Sequence, residues 1–305
     1  MCGRLKRRNC RMFESSLVAV FLLLGTIGCS KDDGGEIVPP IPGKEQAWME
    51  LPDTVGMDPS LDFVTHFTAI GGKTVRNFSM LYDPQEKVSY WVAYPLHASY
   101  LGTSGRTEAW AYDPQIPEDD QLDLYRSYGT GIYDRGHQIP SADRTANDPA
   151  NAQTFYYTNM TPQNSTLNRD LWANLEAWVR AKRCADTLYV VTGCVIRTVD
   201  DPVVRYVTKD GVRGAIPKAY FKVLLRTKSG NTGALPTDAT AKCVGFWLEN
   251  TAPTPNADDE YPVTKSIAYT VAQIEELTGY TFFPSISPAV KATLNPYLDW
   301  GLKDE

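Results

Sequence analysis

Hydrophobic and polar positions alternate in short runs from about residue 62 onward, and clusters of turn residues separate the runs. The runs are rich in aromatic and β-branched side chains, which fit the pleated, half-buried surface of a β-sheet. This pattern predicts a series of strands. They lie at residues 63–70, 88–94, 188–192, 203–207, 220–225 and 243–248.

Two further segments have the spacing of amphipathic helices. The first covers residues 168–183, and its apolar stripe consists of Leu171, Trp172, Leu175, Trp178 and Val179. The second covers residues 271–277 and is followed by Gly279, which is typical of a helix C-cap. A third, short helix is predicted after Pro288. The order of the elements predicts an α+β domain around a mostly antiparallel sheet.

Residues 95–147 show little regular pattern and contain several glycines and prolines. A long irregular stretch inside a compact domain is usually either disordered or functional. This stretch ends at the sequence Asp134-Arg135-Gly136-His137, which contains one of only three histidines in the chain. We therefore expect it to form a functional loop.

The first 28 residues form a separate segment. Five basic residues precede an apolar run at residues 17–24, which is too short to span a bilayer but is typical of an export signal. Gly28 precedes Cys29 in a sequence that resembles a bacterial lipobox, so Cys29 is the expected lipidation site. The alternative is an ordinary secretory signal that is cut nearby.

Residues rich in glycine, proline and charge follow this signal, and they predict a flexible spacer. We therefore divide the chain into a lipoprotein signal peptide (1–28), a tether (29–58) and one domain (59–305). The expected location is the bacterial outer membrane, on its periplasmic or outer face. Contact with the membrane is expected through the lipid anchor alone.

Without residues 1–28 the chain has 25 basic and 35 acidic residues, a net charge of −10. A protein that binds nucleic acid through a broad electrostatic surface is basic, so any site for a polyanion must be local here. Three cysteines remain after Cys29, namely Cys184, Cys194 and Cys243. They allow at most one disulfide, whose pairing the sequence leaves open, and their spacing does not indicate zinc.

The sequence around His137 has the side chains that phosphodiester cleavage requires. A neutral imidazole can act as the base that activates water, and Arg135 offers a planar, permanently charged group for a phosphate. Gly136 allows the backbone to bring both side chains to one substrate. Asp134 is expected either as an outer-shell partner of metal-bound water or as an acceptor within the loop. The alternative is a buried turn with an Asp–Arg pair and a core histidine.

The predicted helix at 168–183 adds Asn168, Glu176 and Arg180 on one shoulder of its apolar stripe, at roughly 0°, 80° and 120°. Asn168 and Glu176 are about 12 Å apart along the axis, so both cannot bind one ion directly. Mg²⁺ keeps several waters, so a site with a single Asn ligand is allowed. The alternative is a solvated helix face with an ordinary Glu176–Arg180 pair.

Three segments in this order, residues 133–143, 157–163 and 167–176, resemble the DNA/RNA non-specific endonuclease family, and the resemblance covers about residues 60 to 290. It implies the ββα-metal (His-Me finger) fold, with a mostly antiparallel sheet flanked by helices. It also implies that His137 is the general base and that Asn168 is the sole direct protein ligand of Mg²⁺. Glu176 matches the acid that orients metal-bound water.

The resemblance assigns further residues to the substrate. Arg135 and Arg180 match arginines that contact the substrate and the transition state. Asn159 and Gln163 match positions that supply supporting hydrogen bonds and substrate contact, and Arg106 matches a further phosphate-binding arginine.

The expected function is a Mg²⁺-dependent endonuclease, with Mn²⁺ as an alternative ion, that cuts DNA and RNA without sequence preference. One competing hypothesis is an enzyme of the same fold with another phosphodiester substrate. The other is a non-catalytic surface lipoprotein that binds nucleic acid. The complete set of His137, Asn168 and Glu176 argues against the second, because binding alone does not need a base.

Overall fold

The computed structural model describes residues 48–124, 131–197, 202–207 and 211–304. The strands are β1 (Asp62–Ile70), β2 (Lys73–Asp83), β3 (Val88–Leu96), β4 (Tyr133–His137), β5 (Met160–Asn164), β6 (Leu188–Val195), β7 (Arg205–Val207), β8 (Arg213–Ala215), β9 (Ala219–Thr227), β10 (Ala241–Glu249) and β11 (Ala268–Tyr269). The α-helices are α1 (Asp148–Gln153), α2 (Ser165–Leu167), α3 (Ala173–Ala181), α4 (Val271–Thr278), α5 (Pro288–Lys291) and α6 (Pro296–Trp300).

Seven strands form one antiparallel sheet in the order β1-β2-β3-β6-β9-β10-β11. Its central strands β6 and β9 are buried on both faces. One face packs against α3 through Leu175 and Val179, and the other packs against α4 through Val271 and Ile274. The predicted α+β domain with a mostly antiparallel sheet is thereby confirmed.

Two strands of this sheet do not show in the hydrophobic pattern. Strand β2 carries Lys73, Arg76 and Asn77, which interrupt its apolar run, yet the eight residues from Arg76 to Asp83 are buried. Arg76 is buried because it pairs with the buried Glu50, and its guanidinium lies 4.1 Å from the ring centroid of Trp48. The other missed strand, β11, has only two residues.

The strand predicted at 203–207 is present only in part. Strand β7 pairs with β8 in a separate two-stranded sheet and does not join the main one.

The segment expected to be a functional loop contains a strand at its chemically important end. Residues 133–137 form β4, which pairs with β5 in register from Tyr133 opposite Asn164 to His137 opposite Met160. The expectation of an irregular loop was therefore wrong for these residues. Pairing with a partner more than twenty residues away supplies the regularity that the local polar sequence does not indicate.

The helix that follows β5 begins earlier than predicted. The Asn164 side chain accepts hydrogen bonds from the backbone of Thr166 and Leu167, which starts α2. A π-helical turn at Asn168–Trp172 then leads into α3. Such turns often occur at functional sites because they change the direction of a side chain within a helix.

Both C-terminal helix predictions are confirmed. Gly279 ends α4 with a left-handed φ of 76°, and Thr270 and Gln273 form a capping box at its start. The short helix α5 begins at Pro288.

The folded domain starts earlier than the boundary that we expected at residue 59. Met49 and Leu51 are buried in the hydrophobic cluster that also contains Val271 and Ile274. The predicted signal peptide and Cys29 lie outside the described residues. Cys184, Cys194 and Cys243 are all free thiols. Among the described residues, we find no helix long and apolar enough to cross a membrane.

Candidate active site

His137 lies at the end of β4, where its ring is partly buried between aromatic side chains. The ring centroids of Phe155 and Trp110 lie 5.2 Å and 5.8 Å from that of His137, in edge-on contacts. The imidazole hydrogen-bonds to the backbone of Arg135, and the buried Nε2 has no hydrogen-bond partner in the described part of the chain. Burial lowers the pKa of His137 to about 3, and the charges of Arg106 and Arg135 act in the same direction. The ring is therefore neutral, with a free lone pair on Nε2.

Two arginines stand beside this histidine on aromatic supports. The Arg135 guanidinium lies 4.1 Å from the ring centroid of Trp110. The Arg106 guanidinium lies 4.7 Å from the ring centroid of Phe155. Glu108 connects Arg106 to Trp110, because it pairs with Arg106 and accepts a hydrogen bond of 2.8 Å from Trp110 Nε1. This arrangement holds two positive charges next to the proposed base.

Trp110 and Glu108 are functional candidates that the sequence did not single out. They lie just after Arg106, in the irregular stretch that precedes the motif. Their proximity to Arg106 along the chain is the only sequence signal for them, because their contacts with Arg135 and His137 are made in three dimensions.

Asn168 lies at the start of the π-helical turn, with its side-chain amide held in one orientation. Its Nδ2 donates to Oδ2 of Asp134 at 3.1 Å. Asp134 also accepts two hydrogen bonds of 2.7 Å from Arg169 and one from Ser165. Because Nδ2 is engaged, the Oδ1 atom of Asn168 is the atom left for a ligand. The structure shows Asp134 as an acceptor with partners on the helical segment instead of within its own loop, and its expected role towards metal-bound water stays a prediction.

These elements meet around a cleft of about 210 Å³. Its lining consists of Arg106, Arg135, His137, Pro140, Ser141, Ala142, Asn168 and Glu176. Five predicted site residues, from β4, the helix and the irregular segment, therefore share one cleft. Asn168 and Glu176 belong to different helical turns, yet both line it.

Glu176 projects from α3 into a group of buried charges. Burial raises the pKa of its carboxyl group, Asp143 acts in the same direction, and Lys222 and Arg180 oppose the shift. Lys222 is fully buried on β9, where its Nζ donates to Thr192 Oγ1 at 2.7 Å.

Arg180 is held by a neighbouring carboxylate. Its guanidinium donates to Asp143 at 3.0 Å, and the hydroxyl of Tyr94 donates to the same carboxylate at 3.0 Å. Arg180 does not line the cleft and pairs with Asp143 instead of Glu176. Arg180 is therefore engaged by Asp143 in this structure, and its expected contact with the substrate stays a prediction.

The structure does not bring Asn159 and Gln163 to the cleft surface, because both are fully buried. Asn159 accepts from the backbone of Ile139 at 3.0 Å and donates to the carbonyls of Ile139 and Thr154. It thereby holds the turn that follows His137. Gln163 packs beneath Gly136, on the facing strand. The expectation of direct substrate contact is not met for this pair, and their position suits support of β4.

A family model of the DNA/RNA non-specific endonucleases matches residues 63–289. The chain belongs to this family. It is 30% identical over 223 residues to a nuclease of Nostoc sp., covering 73% of this chain and 76% of that protein. It is 28% identical over 225 residues to human mitochondrial endonuclease G, covering 70% of each. The protein is therefore a nuclease, a hydrolase that acts on nucleic acids.

The fold of this endonuclease agrees with that of a solved relative. A crystal structure of an EndoG/EndoGI complex matches with a TM-score of 0.55 and 21% identity, covering 74% of this chain and 89% of the other. The ββα-metal fold is thereby confirmed, with β4 and β5 as its two strands and the helical segment after Asn164 as its helix.

The endonuclease family is generally metal-dependent, and the side chains of the cleft fit a hard, hydrated ion. In the described ranges, no three His, Cys, Asp or Glu side chains are grouped so that they could hold a metal. The cleft instead offers the amide oxygen of Asn168 and the carboxylate of Glu176. Mg²⁺ prefers oxygen ligands and keeps several waters, so such a sparse set of oxygens suits it.

Proposed function

We propose that this protein is a Mg²⁺-dependent endonuclease that hydrolyses phosphodiester bonds of DNA and RNA without sequence preference. One observation carries the proposal. The unpartnered Nε2 of His137 belongs to the same cleft as Arg106, Arg135, Asn168 and Glu176. Phosphodiester hydrolysis needs a base to activate water and positive charge beside the phosphoryl oxygens. The cleft supplies both, together with two side chains whose oxygens can bind a metal ion or its water.

His137 acts as the general base in this mechanism. Its ring is neutral at working pH, and its backbone hydrogen bond leaves Nε2 as the proton acceptor. Nε2 takes a proton from water while the water oxygen forms a bond to phosphorus. The bond between phosphorus and the 3′ oxygen then breaks, and this oxygen takes a proton from solvent. The products carry a 5′-phosphate and a 3′-hydroxyl.

Arg106 and Arg135 bind the phosphoryl oxygens. Their charges depress the pKa of His137 in the free protein. A bound phosphate offsets those charges, so the pKa of His137 rises when substrate occupies the cleft. The histidine thus becomes a stronger base when there is a bond to cleave.

Asn168 would hold the divalent ion through Oδ1, and the ion would supply positive charge to the scissile phosphate and the leaving oxygen. Asp134 keeps the Asn168 amide in the required orientation. Glu176 in its ionised form accepts hydrogen bonds from water in the cleft and orients it. Arg180, through Asp143, and Lys222 form the charged support behind Glu176.

The lack of sequence preference follows from the type of contact. The cations of the cleft, Arg106 and Arg135, recognise phosphate, and contacts to the backbone carry no direct base information. The same cleft therefore accepts DNA and RNA.

The N-terminal sequence supports export and lipid anchoring at Cys29, on the periplasmic or outer face of the bacterial outer membrane. Metabolic labelling with a tagged fatty acid tests this part of the proposal. Label is expected on the intact chain and not on Cys29→Ser. Labelling of both chains, or of neither, would contradict lipidation at this residue.

The catalytic proposal is tested with plasmid, single-stranded DNA and RNA, each incubated with Mg²⁺ or with EDTA. Cleavage of all three is expected with Mg²⁺ alone. His137→Ala is expected to lose on the order of 10²-fold or more in rate. His97→Ala is the matched control, because His97 lies outside the cleft and is only partly buried.

The outcomes separate the competing hypotheses. Binding without Mg²⁺-dependent cleavage would indicate a non-catalytic binder. Cleavage of other phosphodiesters but of neither nucleic acid would indicate another substrate for the same fold. Undiminished cleavage by His137→Ala would contradict the assigned base.

A further inference from the structure

Three cationic side chains gather around the neighbouring rings of Trp300 and Trp178, at the far end of α3 from Asn168. The Nζ of Lys242 lies 4.9 Å from the Trp300 ring centroid, and the guanidinium carbon of Arg226 lies 5.6 Å from it. The Nζ of Lys182 lies 4.7 Å from the ring centroid of Trp178, which is 6.2 Å from that of Trp300. We call Lys182, Arg226 and Lys242 the cationic cluster.

The cationic cluster has no acidic partner in direct contact within the described part of the chain. Across the described ranges, none of its three side chains forms an ion pair with a carboxylate. Lys242 donates to the backbone carbonyl of Asp299, and among the described residues the buried Nε of Arg226 has no hydrogen-bond partner. The cluster therefore retains positive charge that no described carboxylate contacts.

The three charges also disfavour one another. Burial lowers the pKa of Lys242 to about 8, Arg226 and Lys182 add to this shift, and Asp299 and Cys184 oppose it. Burial and Arg226 likewise lower the pKa of Lys182. Like charges that are held together in a partly buried place are stabilised by a bound anion. The chain without its signal has a net charge of −10, so this cluster is a local exception.

The cationic cluster and the cleft lie on the same face of the main sheet. Lys222, next to Glu176, and Arg226 project from the same side of β9, because side chains four residues apart on a strand share a face. Lys182 directly follows α3, whereas Asn168 begins the π-helical turn before it. Asn168 and Lys182 are fourteen positions apart, which corresponds to about 20 Å along a helix.

We propose that Lys182, Arg226 and Lys242 bind a backbone phosphate of the nucleic-acid substrate at a distance from the cleaved bond. This inference rests on the proposed function only in that the ligand is nucleic acid. A separation of about 20 Å corresponds to roughly six base pairs at about 3.4 Å per step of one strand. The contact adds affinity for long substrates without reading their sequence.

The test is the salt dependence of binding, measured without divalent ions so that no cleavage occurs. For duplex DNA, each phosphate contact contributes about 0.9 to the slope of the logarithm of the binding constant against the logarithm of the salt concentration. For Arg226→Met combined with Lys242→Met, the slope is expected to fall by about one on a long duplex. A short oligonucleotide that fills only the cleft is expected to show a smaller change.

Lys242→Met and Lys73→Met form a matched pair of single variants, because each replaces one lysine and Lys73 is exposed at the start of β2. Only the first is expected to weaken binding of the long duplex, by about 5- to 10-fold at low salt. Unchanged thermal unfolding shows that the variants are folded. If they are not, Lys242→Gln and Arg226→Gln replace them.

Three results would overturn the inference. The first is an unchanged slope in the double variant, and the second is an equal loss in Lys73→Met. The third is loss of binding to inorganic phosphate or to anionic phospholipid vesicles while DNA binding stays unchanged, which would assign the cluster to a free anion or a lipid headgroup. Wild-type protein that binds DNA but does not cleave it would contradict the proposed function and leave this test valid.

Discussion

Asp134 accepts a hydrogen bond from Nδ2 of Asn168, with 3.1 Å between Nδ2 and Oδ2. The two residues lie on different elements, β4 and the π-helical turn after β5. Since a carboxylate can only accept, the Asn168 amide has one favoured orientation, with Oδ1 left for a metal ion. The strand that carries the base therefore also orients the proposed metal ligand.

Asp134→Asn is expected to remove this orientation, because an amide can also donate to Oδ1 of Asn168. Loss of such an outer-shell partner typically weakens metal binding about 10- to 100-fold. Mg²⁺ titrations of activity, together with calorimetry, measure the effect. Arg169→Met is the control, since it leaves Asp134 in place and removes only an exposed ion pair. Equal Mg²⁺ affinities in Asp134→Asn and the wild type would argue against this role.

His137 makes the folded protein sensitive to acid. Its pKa is about 3 in the folded protein and about 6.5 in an unfolded chain, so the unfolded chain binds the proton first. The neutral His137 therefore contributes fully to the free energy of unfolding above about pH 6.5. This contribution is lost as the pH falls towards 3, by at most about 1.4 kcal/mol per pH unit. Between pH 7.5 and pH 5, the free energy of unfolding measured in urea is expected to fall less in His137→Gln than in the wild type. Parallel losses in the two proteins would contradict the depressed pKa.

Lys222 is expected to keep Glu176 ionised. Its positive charge lowers the pKa of Glu176, which burial raises. Lys222→Met should therefore move the acidic limb of the kcat/KM profile to higher pH, with activity recovering as the pH rises. Thr192→Val is the control, because it removes the hydrogen bond to Nζ and keeps the charge. An acidic limb that stays in place in Lys222→Met would exclude this effect.

Trp110 is expected to hold Arg135 for the substrate. Its ring lies 4.1 Å from the Arg135 guanidinium, a contact typically worth about 0.5–2 kcal/mol. Trp110→Leu should lower kcat/KM by roughly 2- to 30-fold at this energy. Trp247→Leu is a matched control, because Trp247 donates to Glu249 as Trp110 donates to Glu108, but its ring packs against the hydrophobic cluster of Val271 and Ile274 and not against Arg135. Equal losses in the two variants would indicate a general packing effect.

Gly136 allows β4 and β5 to pack closely. A Cβ atom at this position would overlap the Cβ and Oε1 atoms of Gln163 on the facing strand. Gly136→Ala is expected to destabilise the protein by about 1–3 kcal/mol in chemical denaturation. Gly105→Ala is the comparison, since its added Cβ would meet open space. A Gly136→Ala protein as stable as Gly105→Ala would show that the hairpin can relax.

Local sequence was sufficient for elements whose signals are themselves local. The left-handed Gly279 after α4 is one example, and the apolar stripe of α3 is another. The three motifs likewise predicted a chemistry and a fold, because their residue types and order are unusual, and His137, Asn168 and Glu176 from these motifs line one cleft.

The arrangement of the site depended on contacts between residues far apart in sequence. The polar residues 133–137 become a strand only because β5 supplies hydrogen-bond partners. Arg180 turns to Asp143 and Asn159 turns inward because buried polar groups there need partners. Trp110, Lys222 and the cationic cluster acquire significance from neighbours that folding brings to them. The sequence alone determined which chemical groups are available and the fold that they belong to. Only the tertiary structure decided which of them meet, since burial and pairing are properties of the packed chain.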